Sequence, residues 1–291
     1  MSVLNVAQGI PNLIGNIMAT AEANIRSQMR EDDYIDPTDG FIHCGKCRKP
    51  RQTKISIFGM EQTVFCICDC RIAEMKKQEE EQIRHKVEIM RKDGFYDAAL
   101  AESTFEHDEF PDNINSKIAR NYVEHFQHFY EEGKGLLMTG GVGTGKTFYA
   151  SCIANALIEK LHPVLVTSIG RYIRGMEEDY ESRNEKIEYL QKFALVVFDD
   201  FGVERNTPYV NELIYAIIDG RIRSGKPMIV TTNIDLPTLA NSDNIDMTRI
   251  YDRLIAGCIP VKFEGQNIRR AKARSDYRDD MALLKGDLLE N

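Results

Sequence analysis

Gly140-Gly141-Val142-Gly143-Thr144-Gly145-Lys146-Thr147 decides the reading of this chain. The stretch fits G-x-x-x-x-G-K-[ST], a glycine turn whose backbone N–H groups ring a phosphate. Leu136 to Thr139 in front reads as a buried strand, and Phe148 to Lys160 behind reads as a helix. That order is the context the motif needs, because the helix N-terminus adds a partial positive charge to the ring of donors. Gly141, Val142, Gly143, Thr144, Gly145, Lys146 and Thr147 are therefore expected to cradle ATP. Lys146 would reach the β- and γ-phosphates and Thr147 would hold Mg²⁺. A glycine-rich turn without a ligand is the plainer alternative, and the intact strand–motif–helix order argues against it.

Outward from the motif, short apolar strands alternate with helical segments. Strands are predicted at 136–139, 164–167, 195–198, 228–232 and 260–263, and helices at 145–160, 169–181, 208–223 and 248–256. Such alternation implies an α/β fold, a parallel five-stranded sheet with helices on both faces. Just upstream, Ile118, Tyr122, Phe126 and Phe129 recur at helical spacing up to Gly133. The organisation expected is a helix and loop segment over 1–40 (a weak amphipathic helix over 10–29), a zinc-ribbon-like module over 41–75, and a charged helix and linker over 76–113. The nucleotide domain follows over 114–270 and a charged tail over 271–291.

A chain of 291 residues with 43% hydrophobic content has enough apolar material for a sizeable core. No apolar run approaches bilayer-spanning length, and no basic start followed by an apolar stretch marks a secretory signal, so a cytoplasmic protein without membrane contact is expected. The net charge of −8 excludes a protein that coats DNA by bulk electrostatics. Any nucleic-acid contact has to be local.

Leu195-Val196-Val197-Phe198-Asp199-Asp200 is an apolar strand that ends in two carboxylates. Ligands of parallel sheets sit at the carboxyl ends of strands. Asp199 there would help hold Mg²⁺, and Asp200 would polarise the attacking water as a general base. Met228-Ile229-Val230-Thr231-Thr232-Asn233 is the next strand, whose Asn233 amide would orient that water. Solvated acids and a turn-forming Asn are the ordinary alternatives. The phosphate motif upstream is what sets them aside.

At this point residues 134–270 resemble the AAA+ ATPase core of bacterial helicase loaders of the DnaC/DnaI type, including phage and prophage versions. The resemblance rests on Gly-Val-Gly-Thr-Gly-Lys-Thr, on Val-Phe-Asp-Asp-Phe-Gly-Val-Glu-Arg at 197–205, on Thr-Thr-Asn, and on Arg249-Ile-Tyr-Asp-Arg253-Leu. It implies an ATPase that delivers a replicative ring helicase of the DnaB type onto single-stranded DNA in replication, assembling with its own copies when ATP-bound. It also implies that Arg253 is an arginine finger for the neighbouring subunit, with Arg249 one turn away on the same face. Arg269 matches the second sensing arginine, with Arg270 beside it. A fixed positive charge lent in trans makes hydrolysis conditional on assembly. Many AAA+ motors carry Asp-Glu where this chain has Asp199-Asp200. The shorter second acid stands further from the water, which fits switch-like hydrolysis better than a fast motor. The chain after Arg270 is also too short for the helical lid of full AAA+ proteins.

Five of the seven cysteines fall within residues 44–70: Cys44-x-x-Cys47 and Cys66-x-Cys68-x-Cys70. In a reducing compartment such clustering points to metal, and two short knuckles across a hairpin are the layout of a zinc ribbon. Four of the five would hold Zn²⁺, Cys44 and Cys47 among them, with His43 a more distant candidate. Cys152 and Cys258 stand alone in apolar segments and read as small buried hydrophobes. The Cys-rich part resembles that of Gram-positive phage-type loaders, which suggests the helicase as its partner.

Residues 168–193 carry Arg171, Tyr172, Arg174, Tyr180, Arg183, Lys186 and Tyr189. In similar loaders an extra helix here touches single-stranded DNA, by arginines on phosphates and tyrosines on bases. An amphipathic helix with Ile173, Met176 and Tyr180 facing the sheet is the alternative. Three other functions compete. A transposition helper ATPase of the IstB type would share the core. A small-metabolite P-loop kinase leaves the Asp-Asp, Thr-Thr-Asn and late Arg motifs unexplained. A nucleotide-binding adaptor without hydrolysis is hard to square with intact Lys146, Asp199 and Asp200.

Overall fold

The computed structural model describes residues 29–178, 183–205, 207–240 and 244–265, with 267, 268, 270, 277, 281 and 284 beyond them. The helix expected over 10–29 falls outside these residues except for Met29, as does most of the tail from 271. The chain divides into two compact units, one up to Ile83 and one from Arg84 on.

The first unit holds two small antiparallel pairs: β1 (Tyr34–Ile35) with β2 (Ile42–His43), and β3 (Gln52–Ile57) with β4 (Met60–Phe65). The second pair is a hairpin turned at Phe58 and Gly59, both at positive φ (50° and 80°), the geometry that matches strand twist in a two-residue turn. Phe58 stands 98% exposed at its tip. Helix α1 (Asp69–Gly94) starts in this unit and contains the point of division.

In the second unit, β5 (Gly135–Gly140), β6 (Val164–Ser168), β7 (Leu195–Phe201), β8 (Met228–Thr232) and β9 (Cys258–Phe263) form one parallel sheet in the order β6-β7-β8-β5-β9. The strands read as unbroken apolar runs because both faces are covered. Alternate residues go to opposite sides. Leu136, Met138, Leu195 and Val197 join one apolar cluster with α5 (Lys146–Glu159) and α3 (Ile114–Glu124). Leu137, Val196 and Phe198 join the other with α6 (Ile169–Glu178), α8 (Pro208–Arg223) and α10 (Ile245–Gly257). Helix α8 begins at Pro208 after Thr207, whose hydroxyl accepts from Val210 N at 3.3 Å. After the short α9 (Leu236–Ala240), Asn244 caps α10 in the same way. Among the described residues no helix is long and apolar enough to cross a membrane.

Three local features differ from the periodicity. The helical pattern from Ile118 to Phe129 breaks at His125 into α3 and α4 (Phe126–Glu131), yet Tyr122 still stacks on Phe129 at 4.8 Å. The helix expected to 181 is described to Glu178, and a separate α7 (Arg183–Leu190) follows. The irregular segment after Gly94 contains α2 (Ala98–Ala101) and a single 3-10 turn (Phe105–His107), clamped by the Asn155 amide on the Leu100 and Ser103 carbonyls at 3.2 and 2.8 Å.

Among the described residues Arg221 is the largest fully buried side chain. Its guanidinium donates to the carbonyls of Leu190 (2.8 Å), Ala194 (3.0 Å) and Pro227 (2.9 Å), tying the end of α7 to the starts of β7 and β8. Burial pushes it down to about 10, so it stays charged at neutral pH. Arg221→Ala would strand three buried carbonyls, and a loss of at least ~3 kcal/mol is expected in denaturant unfolding. Arg221→Lys should recover only part of it, since an ammonium cannot reproduce the fork.

Candidate functional site

Helix α5 starts directly on the glycine turn. Gly145 caps it at φ +96°, with no side chain on the first N–H groups. Those donors are the ones an anion takes. Gly143 sits at φ +79°, and a Cβ there would fall 2.2 Å from Asn267 Oδ1. The chain after β9 thus returns to the turn, and Ile268 N donates to Gly143 O at 2.9 Å. Thr144 Oγ1 ties the turn internally to Gly141 O at 2.9 Å. Lys146 is 5% exposed. Its Nζ donates to Gly140 O and Gly141 O at 2.8 Å and to Asn233 Oδ1 at 2.9 Å. The turn and the end of β8 are therefore held together by the lysine of the motif.

The two acids have different surroundings. Strand β7 runs past its predicted end to Phe201, with a register shift against β8 between Phe198 and Phe201. Within that bulge Asp200 takes φ +54°, a conformation costly for a residue with a Cβ, and its N–H donates to Thr231 Oγ1 at 3.0 Å. Asp199 is 3% exposed, and its Oδ1 accepts from Thr147 Oγ1 (2.8 Å) and Thr231 Oγ1 (2.7 Å). Asp200 is exposed and faces the cavity. An all-oxygen corner of hydroxyl and carboxylate suits a hard cation such as Mg²⁺. Thr231 carries no motif of its own; strand alternation at the Thr-Thr-Asn end was its one available signal.

A cavity of about 720 Å³ opens on this corner, a volume in the range of small-molecule sites. Its walls include Val142, Gly143, Gly145, Lys146, Thr147, Asp200, Asn233 and Ile268, which gathers much of the expected site into one space. The far wall is residues 106–110, which no sequence motif marks. Asp108 anchors that wall, accepting from Ser116 Oγ at 2.5 Å and Tyr149 OH at 3.1 Å. Tyr149 follows the motif by two residues, so the wall is fixed to the same helix that carries the phosphate donors. Arg269 lies outside the described residues.

Arg253 is placed elsewhere. It lies on α10, is 41% exposed, and is absent from the cavity wall among the described residues. Its Nε donates to Tyr215 OH at 3.2 Å and pairs with Asp219 at 3.2 Å, and these partners hold its pKa above the usual arginine value, Tyr215 first. Arg249 stacks on the same Tyr215 ring at 4.8 Å, which puts both arginines on one face of α10.

On α6, Ile173 and Met176 are buried while Arg171 and Arg174 are exposed. Arg183 and Lys186 are occupied by the Tyr209 hydroxyl and the Gly175 carbonyl, and Tyr180 lies outside the described residues.

In the first unit the sulfurs of Cys44, Cys47, Cys68 and Cys70 all lie within 4.8 Å of one another. Cys44 and Cys68 approach Cys70 at 3.4 and 3.3 Å. A tetrahedral thiolate site with ~2.3 Å bonds needs sulfurs about 3.8 Å apart, so the set fits Zn²⁺. Cys66 stands aside at the end of β4, its thiol on Pro50 O at 3.3 Å, and His43 bonds Asp39 at 2.8 Å. The first knuckle turns at Gly45, where a Cβ would meet Asp32 O at 2.0 Å. The second lies at the start of α1. The Cys47 N–H lowers the Cys44 thiol to about 6, whereas the Cys68 and Cys44 sulfurs push Cys70 up to about 12. Four thiolates this close need a cation among them. Cys152 and Cys258 are buried, as their apolar settings imply.

Comparison with known proteins places this geometry. The chain is 22% identical over 198 residues to the replicative helicase loader DnaI of Bacillus subtilis, covering 63% of this chain and 64% of that protein. It is 27% identical over 143 residues to the replicative helicase loader DnaC of Escherichia coli, covering 48% of this chain and 56% of that protein. It is also 25% identical over 185 residues to a putative ATP-binding protein in an insertion sequence of Mycobacterium tuberculosis, covering 59% and 70%. The chain thus spans less than two thirds of the two loaders' lengths. A crystal structure of DnaI superposes with a TM-score of 0.50 at 22% identity, over 58% of this chain and 94% of that one. A DnaC helicase loader structure gives 0.50 at 21%, over 57% and 99%, so the AAA+ fold is shared. The model of the IstB-like ATP binding proteins matches residues 71–276, well over half of the chain and all of the nucleotide site, but not the cysteine cluster. The chain belongs to that family and is an ATP-binding AAA+ ATPase.

Proposed function

We propose that this protein is a cytoplasmic, ATP-dependent loader that delivers a replicative ring helicase of the DnaB type onto single-stranded DNA, with ATP binding and hydrolysis as the assembly and release switch. The observation that carries the proposal is the division of the ATPase apparatus. Lys146, Asp200 and Asn233 share one cavity with Asp199 behind it, while Arg253 sits on α10 away from the cavity wall. A site built this way is completed by a neighbour, so hydrolysis reports assembly. In this reading Lys146 and Arg269 contact phosphate, Thr147 and Asp199 hold Mg²⁺, Asp200 polarises the water and Asn233 orients it. Arg253 acts on the next protomer of an ATP-bound homo-oligomer. Strain at Asp200 is consistent with a pre-set base. Exposed Arg171 and Arg174 are the residues of α6 available to DNA phosphates. The four-cysteine cluster holds structural Zn²⁺ and shapes a unit that presents a surface to the helicase.

A second reading has specific support: the family model is that of IstB-like proteins, and one relative comes from an insertion sequence. There the partner would be a transposase. The test is co-purification of the full chain, with Mg²⁺ and ATP, against purified ring helicase and purified transposase, followed by helicase transfer onto circular single-stranded DNA. Stable capture and transfer of the helicase are expected. Transposase capture with no helicase complex would replace the first reading by the second.

A further inference from the structure

Tyr215 belongs to no motif, yet two arginines converge on it. Tyr215, Asp219 and Arg223 follow one another at i, i+4 on α8, and Arg249 and Arg253 do the same on α10, so each set lies on one face of its helix. The two helices share an apolar cluster through Ile214, Ile217, Ile218, Ile250 and Leu254. Gly257 lets them close, since a Cβ there would fall 2.8 Å from Ile222 Cγ1. Beside this core the polar side chains meet. The Arg249 guanidinium stands 4.8 Å over the Tyr215 ring, within cation–π reach. Arg253 Nε donates to Tyr215 OH at 3.2 Å and pairs with Asp219 Oδ1 at 3.2 Å. The Asp219 side chain is nearly closed to solvent. Its Oδ2 takes Arg223 Nε at 2.6 Å, and its Oδ1 accepts no hydrogen bond among the described residues, so the ion pair with Arg253 is what compensates it.

We propose that Tyr215 is a positioning residue for Arg253: its hydroxyl, with Asp219 beside it, holds the guanidinium by the Nε edge and leaves the two Nη groups to a phosphate bound by a second copy of this chain. The proposal rests on the reading of Arg253 given above, in which it acts on the next protomer. A guanidinium carries one N–H on Nε and four on the Nη groups. Among the described residues no hydrogen bond occupies the Nη groups of Arg253. The contact at Nε therefore sets a direction without consuming the donors that recognise phosphate in a fork. An arginine held in advance loses less rotamer freedom when it engages a ligand. Position matters here, because a catalytic group misplaced by about 1 Å can cost about 100-fold in rate. The phenol suits the task. Its ring is half-buried against the apolar cluster, and a tyrosine has only χ1 and χ2 to fix, so its hydroxyl is a rigid acceptor.

The experiment mixes two full-length chains. Lys146→Ala supplies Arg253, and Arg253→Ala supplies an intact nucleotide site. Phosphate release from ATP with Mg²⁺ is followed as the first chain is titrated into the second. Tyr215→Phe, which deletes the hydroxyl and keeps the ring under Arg249, is then added to one chain at a time. In the Lys146→Ala chain it should lower the plateau of phosphate release about 10-fold, the size of one hydrogen bond to a charged group, with half-saturation within about twofold. In the Arg253→Ala chain there is no guanidinium to position, and the plateau should stay within about twofold. That arm also shows that the substituted chain folds. Equal plateaus with the altered and unaltered donor would overturn the proposal. An equal fall in both arms would overturn it too, by marking a general structural role, as would a moved half-saturation at an unchanged plateau, by marking a docking contact. No release from the mixture with Tyr215 intact in both chains would overturn the reading of Arg253 itself, and the role of Tyr215 with it.

Discussion

Arg253→Ala is expected to lower ATP turnover of the assembled protein by about 10³-fold while leaving ATP affinity unchanged. The expectation follows from where the guanidinium sits. It is held by Tyr215 and Asp219 on α8, on a face shared with Arg249, and the cavity of its own chain lies elsewhere. Arg253 does not line the cavity of its own chain, so in the proposed assembly its charge serves a neighbour's site. Set against a neighbour's γ-phosphate, it meets negative charge as it accumulates, in a region closed to water. Arg253→Lys should recover little, because the ammonium lacks the planar fork. The decisive measurement mixes two inactive proteins. Lys146→Ala keeps Arg253 and loses the phosphate contact; Arg253→Ala does the reverse. Phosphate release should reappear on mixing. Silence of the mixture, or undiminished turnover by Arg253→Ala alone, would show that Arg253 has only a local role on α10.

Removal of zinc from the proposed four-cysteine site is expected to unfold the first unit and spare the second. Among the described residues of that unit, the buried apolar ones are Ile42 together with Cys44 and Cys68, which are themselves ligand candidates. Two short hairpins with so little apolar burial do not hold together by the hydrophobic effect alone. Structural zinc supplies about 10–16 kcal/mol in small metal-folded domains, several times what this core offers. Cys44→Ser, or chelation of the parent, should abolish amide protection across residues 34–65 and release about one zinc per chain. ATP affinity should persist, since Lys146, Asp199 and Asn233 belong to the other unit. Full protection of the hairpins in a zinc-free protein would remove the metal from the account. Cys66→Ser should change neither zinc content nor protection, because that thiol already donates to Pro50 O and stands outside the cluster.

The sheet was legible in the sequence because its strands are apolar on both faces and separated by helices, so β8 and α8 fall at their expected ends, 228–232 and 208–223. The phosphate turn was legible for a related reason: backbone donors need glycine, and glycine spacing is visible in one dimension. What periodicity missed is what distant contacts decide. The bulge that sends Asp199 inward and leaves Asp200 facing the cavity depends on pairing with β8. The cavity wall at 106–110 exists because Asp108 finds Ser116 and Tyr149. Arg221 looks like any helical arginine until three carbonyls from other elements surround it. The choice of four cysteines from five turned on strand β4 ending at Phe65, just before Cys66 leaves the cluster.

Calorimetric titration of the purified full chain with ATP and Mg²⁺, repeated on Lys146→Ala, tests the central claim most directly. One ATP bound per parent chain is predicted, with binding weakened at least ~100-fold in the variant, which lacks the ammonium that bridges the glycine turn to Asn233. No uptake by the folded parent, or equal uptake by both proteins, would contradict a site built on that turn.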